Sequence, residues 1–468
     1  MSPGTPVVPS SGGTAAIGPG FAGFSYEKTH IVNGSLTSTN TDLIGLYKLI
    51  GSPVIRLGAD DVDNCTYSGT GAGPTAPSGQ PFTKTIVSGM IDQLCAFLEA
   101  TGGKVIYGTN YNKAAGNATV TAGDVAEVAY AMGKCGSSIL GFEIGNEINR
   151  FGSWSTLETP WEAIATAVSA TAGVNFVGPA AGGGNAVALT TPFAEDESAK
   201  FGSKVVILTS HYYAGTAGST NPISWYTNRI QTPDVTGDGP TDVDGLVGTS
   251  YYTNLAAVKY NIPQAWRMGE VNTFAGHGEE GVSDTLIAAL WMIDLAFVVA
   301  ENGGSGINLH GGETGMDGSK PFYYEPIKES GGVVVDAQPE YYGQLMIQLA
   351  GTGPLVTTTV SNPPEYFTAY ALKASGWISV MLDNKSATNA VSATVDLGSP
   401  VTSASAIYLQ GTPAGSLTAG VGDVTVGNST VSNSGAWSST GTYTLTTSGN
   451  TVSVYVPAAS AALVRVIQ

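Results

Sequence analysis

Eight short apolar runs, each followed by a helix-patterned segment or a long connection, constrain this chain more than any other feature. They read FAGFSYE (21–27), PVIRLGA (53–59), KVIYGTN (104–110), LGFEIGN (140–146), NFVGPAA (175–181), KVVILTSHYY (204–213), QAWRMGEVN (264–272) and SGINLHGG (305–312). Between and after them lie TDLIGLYKLIG, VSGMIDQLCAFLEATG, AGDVAEVAYAMGKCG, SDTLIAALWMIDLAFVVAENG and PEYYGQLMIQLAG, whose apolar residues recur at helical spacing. Strand and helix alternating eight times predict an α/β chain, a (β/α)8 TIM barrel over residues 16–350. After about residue 350 the pattern changes. VTTTV, YFTAYALK, WISVMLD, ATVDL, SASAIYLQ, DVTVG, TYTLTT, TVSVYV and AALVRVI are alternating, β-branched runs separated by turn residues. They predict an accessory β-sandwich over 351–468, completed by a strand from residues 1–15.

In a barrel of this kind the strand C-termini carry the chemistry. The segment ILGFEIGNEINRFG (139–152) runs an apolar strand straight into Glu143, Asn146 and Glu147. Gly145 and the β-branched run argue against a solvated helix face. A carboxylate at the end of a buried strand is costly unless it is paired or used. A second one stands in the matching place after the seventh strand, Glu270 in WRMGEVN. Glycosidic-bond hydrolysis needs one carboxylic acid at the leaving oxygen and a second carboxylate at the anomeric carbon, about 5–5.5 Å away in the retaining geometry. Opposite walls of one barrel supply that spacing, and Asn146 is placed to meet the sugar 2-hydroxyl. The competing structural reading pairs the two glutamates with Arg56 or Arg267. Glu143, deeper in the strand, reads as a buried structural carboxylate.

FEIGNE, RMGEVNTF and the SYEK of the first strand resemble the heparanase/β-glucuronidase family, glycoside hydrolase family 79. The similarity runs over the whole barrel and into the sandwich. The resemblance implies a barrel with a β-sandwich and a retaining mechanism, with Glu147 as acid/base and Glu270 as nucleophile. It also implies that Glu27, Asp60, Asn146, Tyr213 and Tyr324 line the subsite for the terminal sugar. Where family members carry a tyrosine and a glycine pair that bind the glucuronate carboxylate, this chain has Ala275, Gly276, His277 and Gly278. Gly276 and Gly278 remain as candidate amide donors, with His277 between them.

Rival sites are weaker. His211, His277 and His310 fall near strand ends, but no zinc-ligand spacing links them, so no metal is expected. DVTGDGPTDVDG (234–245) does not match the twelve-residue calcium loop and reads as a solvated turn. Tyr107, Tyr111, Tyr212, Trp154 and Trp161 are candidates to stack on sugar faces, although single aromatics at such places are as often core.

The formal net charge of −18 and pI of 4.5 disfavour nucleic acid, anionic membranes and sulfated polymers as partners. No apolar run reaches a membrane span, and MSPGTPVVPSSGG lacks the basic and apolar regions of a signal peptide. Low lysine content and acidity suggest a secreted or periplasmic protein; the sequons at Asn33, Asn64, Asn117, Asn384 and Asn428 are near chance for such a Ser/Thr-rich chain. Three cysteines, Cys65, Cys95 and Cys135, leave at least one free thiol. The expectation is an exo-acting retaining β-glucuronidase that needs no cofactor and takes a carbohydrate, a β-glucuronide. The alternatives are a barrel glycosidase for neutral sugars such as β-xylosides or β-glucosides, and a non-catalytic carbohydrate-binding protein.

Overall fold

The structure, a computed structural model, describes residues 15–69, 82–183, 185–218, 222–231, 245–312 and 321–468. Eight parallel strands close a barrel: β1 (Gly23–Glu27), β2 (Val54–Gly58), β3 (Lys104–Thr109), β4 (Ile139–Ile144), β5 (Phe176–Ala181), β6 (Val205–Thr216), β7 (Trp266–Ala275) and β8 (Gly304–His310). Neighbours in the chain are neighbours in the barrel, and β8 closes onto β1 through Leu309–Phe24 and His310–Ser25. Each of the eight apolar runs overlaps one of these strands. Both faces of a barrel strand are buried, so its sequence is nearly continuous in apolar residues and easy to see.

The helices are α1 (Thr41–Leu49), α2 (Ser88–Thr101), α3 (Ala118–Cys135), α4 (Trp154–Val168), α5 (Thr191–Phe201), α6 (Ile223–Gln231), α7 (Leu246–Lys259), α8 (Leu286–Glu301) and α9 (Pro339–Ala350). Asn40 and Asn117 cap α1 and α3 by accepting from backbone amides of the first turn. Two small ribbons interrupt the alternation: Cys65–Gly69 pairs with Lys84–Val87, and Ile327–Ser330 with Val333–Ala337. A disulfide joins Cys95 of α2 to Cys135 of α3, and Cys65 is a buried free thiol.

Beyond α9 the chain enters antiparallel sheets. One contains β9 (Gly353–Val356), β10 (Phe367–Ala374), β11 (Trp377–Asn384), β13 (Ser403–Gly411), β14 (Val424–Val426) and β17 (Ser460–Ile467). The other contains β12 (Val391–Asp396), β15 (Thr446–Ser448) and β16 (Thr451–Val456). Val380, Leu382 and Val464 of the first meet Val452, Val454 and Val456 of the second in one apolar core. Ala16–Ile17 pairs antiparallel with β9. The strand expected from the first fifteen residues lies outside the described residues except for Ala15, whose carbonyl accepts from the Leu355 amide. VTTTV is corrected: the strand ends at Val356, and Thr357, Thr358 and Thr359 are exposed with no ladder. Threonine's β preference needs a partner strand to be realised.

α8 shows why the sheets belong where they are. It is apolar all round, and its residues Leu286–Ala300 are buried, as expected of a helix covered on every side. The barrel covers one side and the antiparallel sheets the other. The Leu286 and Ile287 amides, which a helix start leaves unpaired, donate to the Ala419 and Leu417 carbonyls. Its single buried charge, Asp294, meets Lys385 Nζ at 2.6 Å and accepts from Thr368 and Tyr370 at 2.6 and 2.8 Å. No helix among the described residues is long and apolar enough to cross a membrane.

Candidate active site

Glu147 follows β4 with φ +44°, a left-handed conformation rare outside glycine. Its amide donates to the Ala180 carbonyl at 2.9 Å, which ties this turn to β5. Gly182 gives the side chain room: a Cβ there would lie 2.4 Å from Glu147 Cδ. Glu147 Oε1 is 3.1 Å from His211 Nδ1, and Oε2 pairs with Arg150 of the following turn. Burial works to raise the Glu147 pKa; the His211 hydrogen bond and charge and the Arg150 cation outweigh it, so the carboxyl sits below its usual range.

Glu270 lies on β7 and is 6% exposed. Arg56, fully buried on β2, is the hub beneath it. Its guanidinium donates to Glu143 Oε2 at 2.6 Å, Glu270 Oε2 at 2.8 Å, Asn146 Oδ1 at 2.7 Å and Ser25 Oγ at 3.1 Å. Tyr213 donates to Glu270 Oε1 at 2.9 Å. Burial pushes the Glu270 pKa up, but the charges of His310, His211 and Arg56 and the Tyr213 bond drive it well below the usual range. Burial also lowers the pKa of His310 itself, whereas the Arg56 guanidinium beside Glu270 keeps its charge. The resting site therefore holds a buried, ionised carboxylate.

One oxygen each of Glu147 and Glu270 and a ring nitrogen of His211 lie within 4.8 Å of one another. In a carboxylate pair that acts on a glycosidic bond, the retaining geometry has about 5–5.5 Å between the groups and the inverting one roughly 6.5–9.5 Å, so this closeness matches the former better. A cation would fit these donors by spacing alone, but Arg56 and Arg150 already neutralise both carboxylates. The three histidines do not converge. His211 serves Glu147, His310 is 4.0 Å from both Glu270 and Glu27, and His277 stacks on Phe322 at 4.2 Å.

The other expected residues divide. Asn146 links Arg56 to Asp60, donating to Asp60 Oδ1 at 3.0 Å. Asp60 stands at the mouth with its side chain 63% exposed and also accepts from Arg150 at 2.7 Å. Glu27 accepts from the Asp61 amide at 2.6 Å; burial, then the Asp61 charge, pushes its pKa up. Tyr324 is buried with its ring 6.1 Å from Tyr213 and 5.8 Å from His310, whereas Tyr323 is half-buried. Tyr324 is thus the one of the pair at the site. Gly276, His277 and Gly278 all have positive φ, and Gly278 packs against the Tyr324 backbone. Gly278 requires correction as an amide donor, because its N–H is spent on the Phe274 carbonyl at 3.1 Å. The His277 amide bonds the Tyr324 hydroxyl. Gly276 is the uncommitted amide of the three among the described residues.

Glu143 is structural, held by Arg56 and by Thr209 at 2.7 Å. The expected sugar-stacking aromatics are also corrected. Tyr107, Tyr111, Tyr212, Trp154 and Trp161 are all buried in the core, where ring area is more strongly stabilised than on an open wall. The 234–245 segment lies outside the described residues apart from Gly245. Sequence reasoning missed Arg150 as a site residue; its signal was a cation three residues after Glu147.

No family model and no curated protein matches the chain. Solved structures do. A 4-O-α-L-rhamnosyl-β-D-glucuronidase from Fusarium oxysporum 12S, in complex with Rha-GlcA, superposes with TM-score 0.70 at 20% identity, covering 97% of this chain and 98% of that one. A family GH51 arabinofuranosidase from Xanthomonas axonopodis pv. citri gives 0.63 at 16%, covering 98% of each. A monomeric β-xylosidase from Caulobacter crescentus CB15 gives 0.60 at 14%, covering 97% of each. These likenesses establish the fold, a barrel with accessory sheets that recurs among glycoside hydrolases.

Proposed function

We propose that the protein is a retaining β-glycosidase that releases terminal β-linked glucuronic acid. The observation that carries the reading is the Glu147–Glu270 pair, two buried carboxylates with oxygens within 4.8 Å and different surroundings. Glu270, ionised against Arg56, attacks the anomeric carbon as Glu147 passes a proton to the departing oxygen. Glu147 then takes a proton from water, which displaces Glu270 from the glycosyl-enzyme. Glu27, Asp60 and Asn146 are assigned to sugar hydroxyls, and Tyr213, Tyr324 and the Gly276 amide to the glucuronate carboxylate. The β-D-glucuronidase activity of the Fusarium neighbour supports this glycone. The Cys95–Cys135 disulfide supports an oxidising location, secreted or periplasmic.

A second reading has its own observation. Two of the three loop amides are committed, which favours a neutral sugar. Nitrophenyl glycosides decide between them. A hydrogen bond to a charged group is worth about 1.5–3 kcal/mol, so one net bond gives roughly a tenfold to hundredfold preference in kcat/KM. The β-glucuronide is expected to exceed the β-xyloside and β-glucoside by at least about tenfold at neutral pH. The margin should shrink as pH falls through the substrate carboxylate's pKa, where charge assistance is lost. Equal turnover of a neutral glycoside replaces this reading with the second; no turnover of any glycoside leaves only a binding protein.

Glu147 has its own signature. Glu147→Ala should cost on the order of 10²–10⁴-fold with a poorly departing aglycone. The first step with nitrophenol, which leaves with little protonation, should lose far less. Azide should restore the slowed second step and give the β-azide. An α-azide, or equal first-step losses for both aglycones, would contradict the role.

A further inference from the structure

In the double-displacement reading proposed above, Glu147 must deliver its proton from one of two oxygens. Oε1 is turned to His211 Nδ1, and Oε2 is held by the Arg150 guanidinium. The oxygen free of the histidine is therefore blocked by an arginine, which must let go before Glu147 can serve as an acid. Arg150 can move. Its side chain is 52% exposed at the mouth, and its second partner, Asp60, is 63% exposed. Beside it, Phe151 is 48% exposed to solvent, its ring backed by Tyr111 at 6.1 Å and 28° between planes. Arg150 and Phe151 come from the same short turn as the acid, Ile148–Arg150 and its cap. Groups beside the acid, on the solvent side of it, face the part of the substrate that departs.

We propose that Arg150 is the specificity-determining residue of the leaving-group subsite, where it takes a carboxylate carried by the aglycone while Phe151 takes the aglycone's ring face. The substrate anion replaces the Glu147 carboxylate as the partner of the guanidinium. Binding thus removes a cation from Glu147 at the moment when the proton is needed. Glu147 is faced by Arg150 from its own turn, by His211 from β6 and by Glu270 from β7, with Asp60 across the mouth sharing Arg150. Among the described residues, only the Arg150 contact is made by a group exposed enough to be exchanged for a ligand.

The test uses two aryl glycosides of whichever glycone the nitrophenyl panel finds turned over. Their aglycones are identical except for a carboxylate or a carboxamide on the ring. The intact protein should prefer the carboxylate by about tenfold in kcat/KM, the worth of one charge-assisted hydrogen bond. Arg150→Gln should abolish that preference. It should also move the basic limb of the kcat/KM profile for the carboxamide substrate to higher pH, because the cation that favours ionised Glu147 is gone. A structural role alone would lower both substrates together and leave the limb in place. Both substrates turned over with no carboxylate preference, or a preference that survives Arg150→Gln, overturns the assignment and leaves the glycosidase reading standing. No turnover of any glycoside overturns that reading, and this assignment with it.

Discussion

Glu270→Gln is expected to lower kcat by about 10⁴–10⁶-fold, the scale of losing a nucleophile from a two-step mechanism. Glutamine keeps the shape of the side chain but cannot form the glycosyl ester. Its NH₂ also turns one donor toward the Arg56 or Tyr213 donors that now meet at Glu270. The effect should fall on kcat. A thermal melt checks that the fold persists. In the unaltered protein an activated fluoro-glycoside should attach to Glu270, read by peptide mass spectrometry. Attachment at any other residue, or a Gln variant with more than about 1% of the activity, would end the assignment.

The second large effect is expected at Arg56. Arg56→Met removes a fully buried guanidinium from Glu143, Glu270, Asn146 and Ser25 at once. Among the described residues, the fully buried Glu143 carboxylate is then left with the Thr209 hydroxyl alone. Breaking one side of a buried ion pair costs about 3–5 kcal/mol, so the denaturant midpoint should fall clearly. Adding Glu143→Met should recover much of that stability by removing the orphaned charge. It should not recover activity, because Glu270 and Asn146 still lack their anchor. Arg56→Lys should remain poor, since one ammonium cannot reproduce a fork that reaches several side chains at once. If Glu143→Met restores activity along with stability, Arg56 only holds the barrel together.

Much of the barrel was legible because buried parallel strands are apolar on both faces. Glu147 and Glu270 stood out as charges ending such runs. The hub beneath them was not legible. Arg56 is visible in PVIRLGA, but its partners lie 87 and 214 positions away, and nothing local says which carboxylate it meets. Reading Glu143 as structural followed from its depth in the strand; that Arg56 also serves Glu270 emerged only from the closed barrel. The two ribbons escaped notice because short two-stranded insertions leave a weak pattern between helices. Five aromatics near strand ends looked available to a sugar, yet ring position in sequence does not tell wall from core. The Gly278 amide was misjudged for a related reason: a glycine signals backbone shape, not whether its N–H is already taken.

The way α8 is covered has a consequence for how such a chain can vary. A helix with no hydrophilic side, whose first amides and buried charge are answered by the antiparallel sheets, cannot face water. Without those sheets the barrel half would present a greasy stripe with an unanswered Asp294. With sheets from an unrelated source it would lack Lys385 and the Leu417 and Ala419 carbonyls. The two halves are thus not interchangeable cassettes: substitutions at their seam must be compensated in pairs, and the smallest heritable unit that folds includes both.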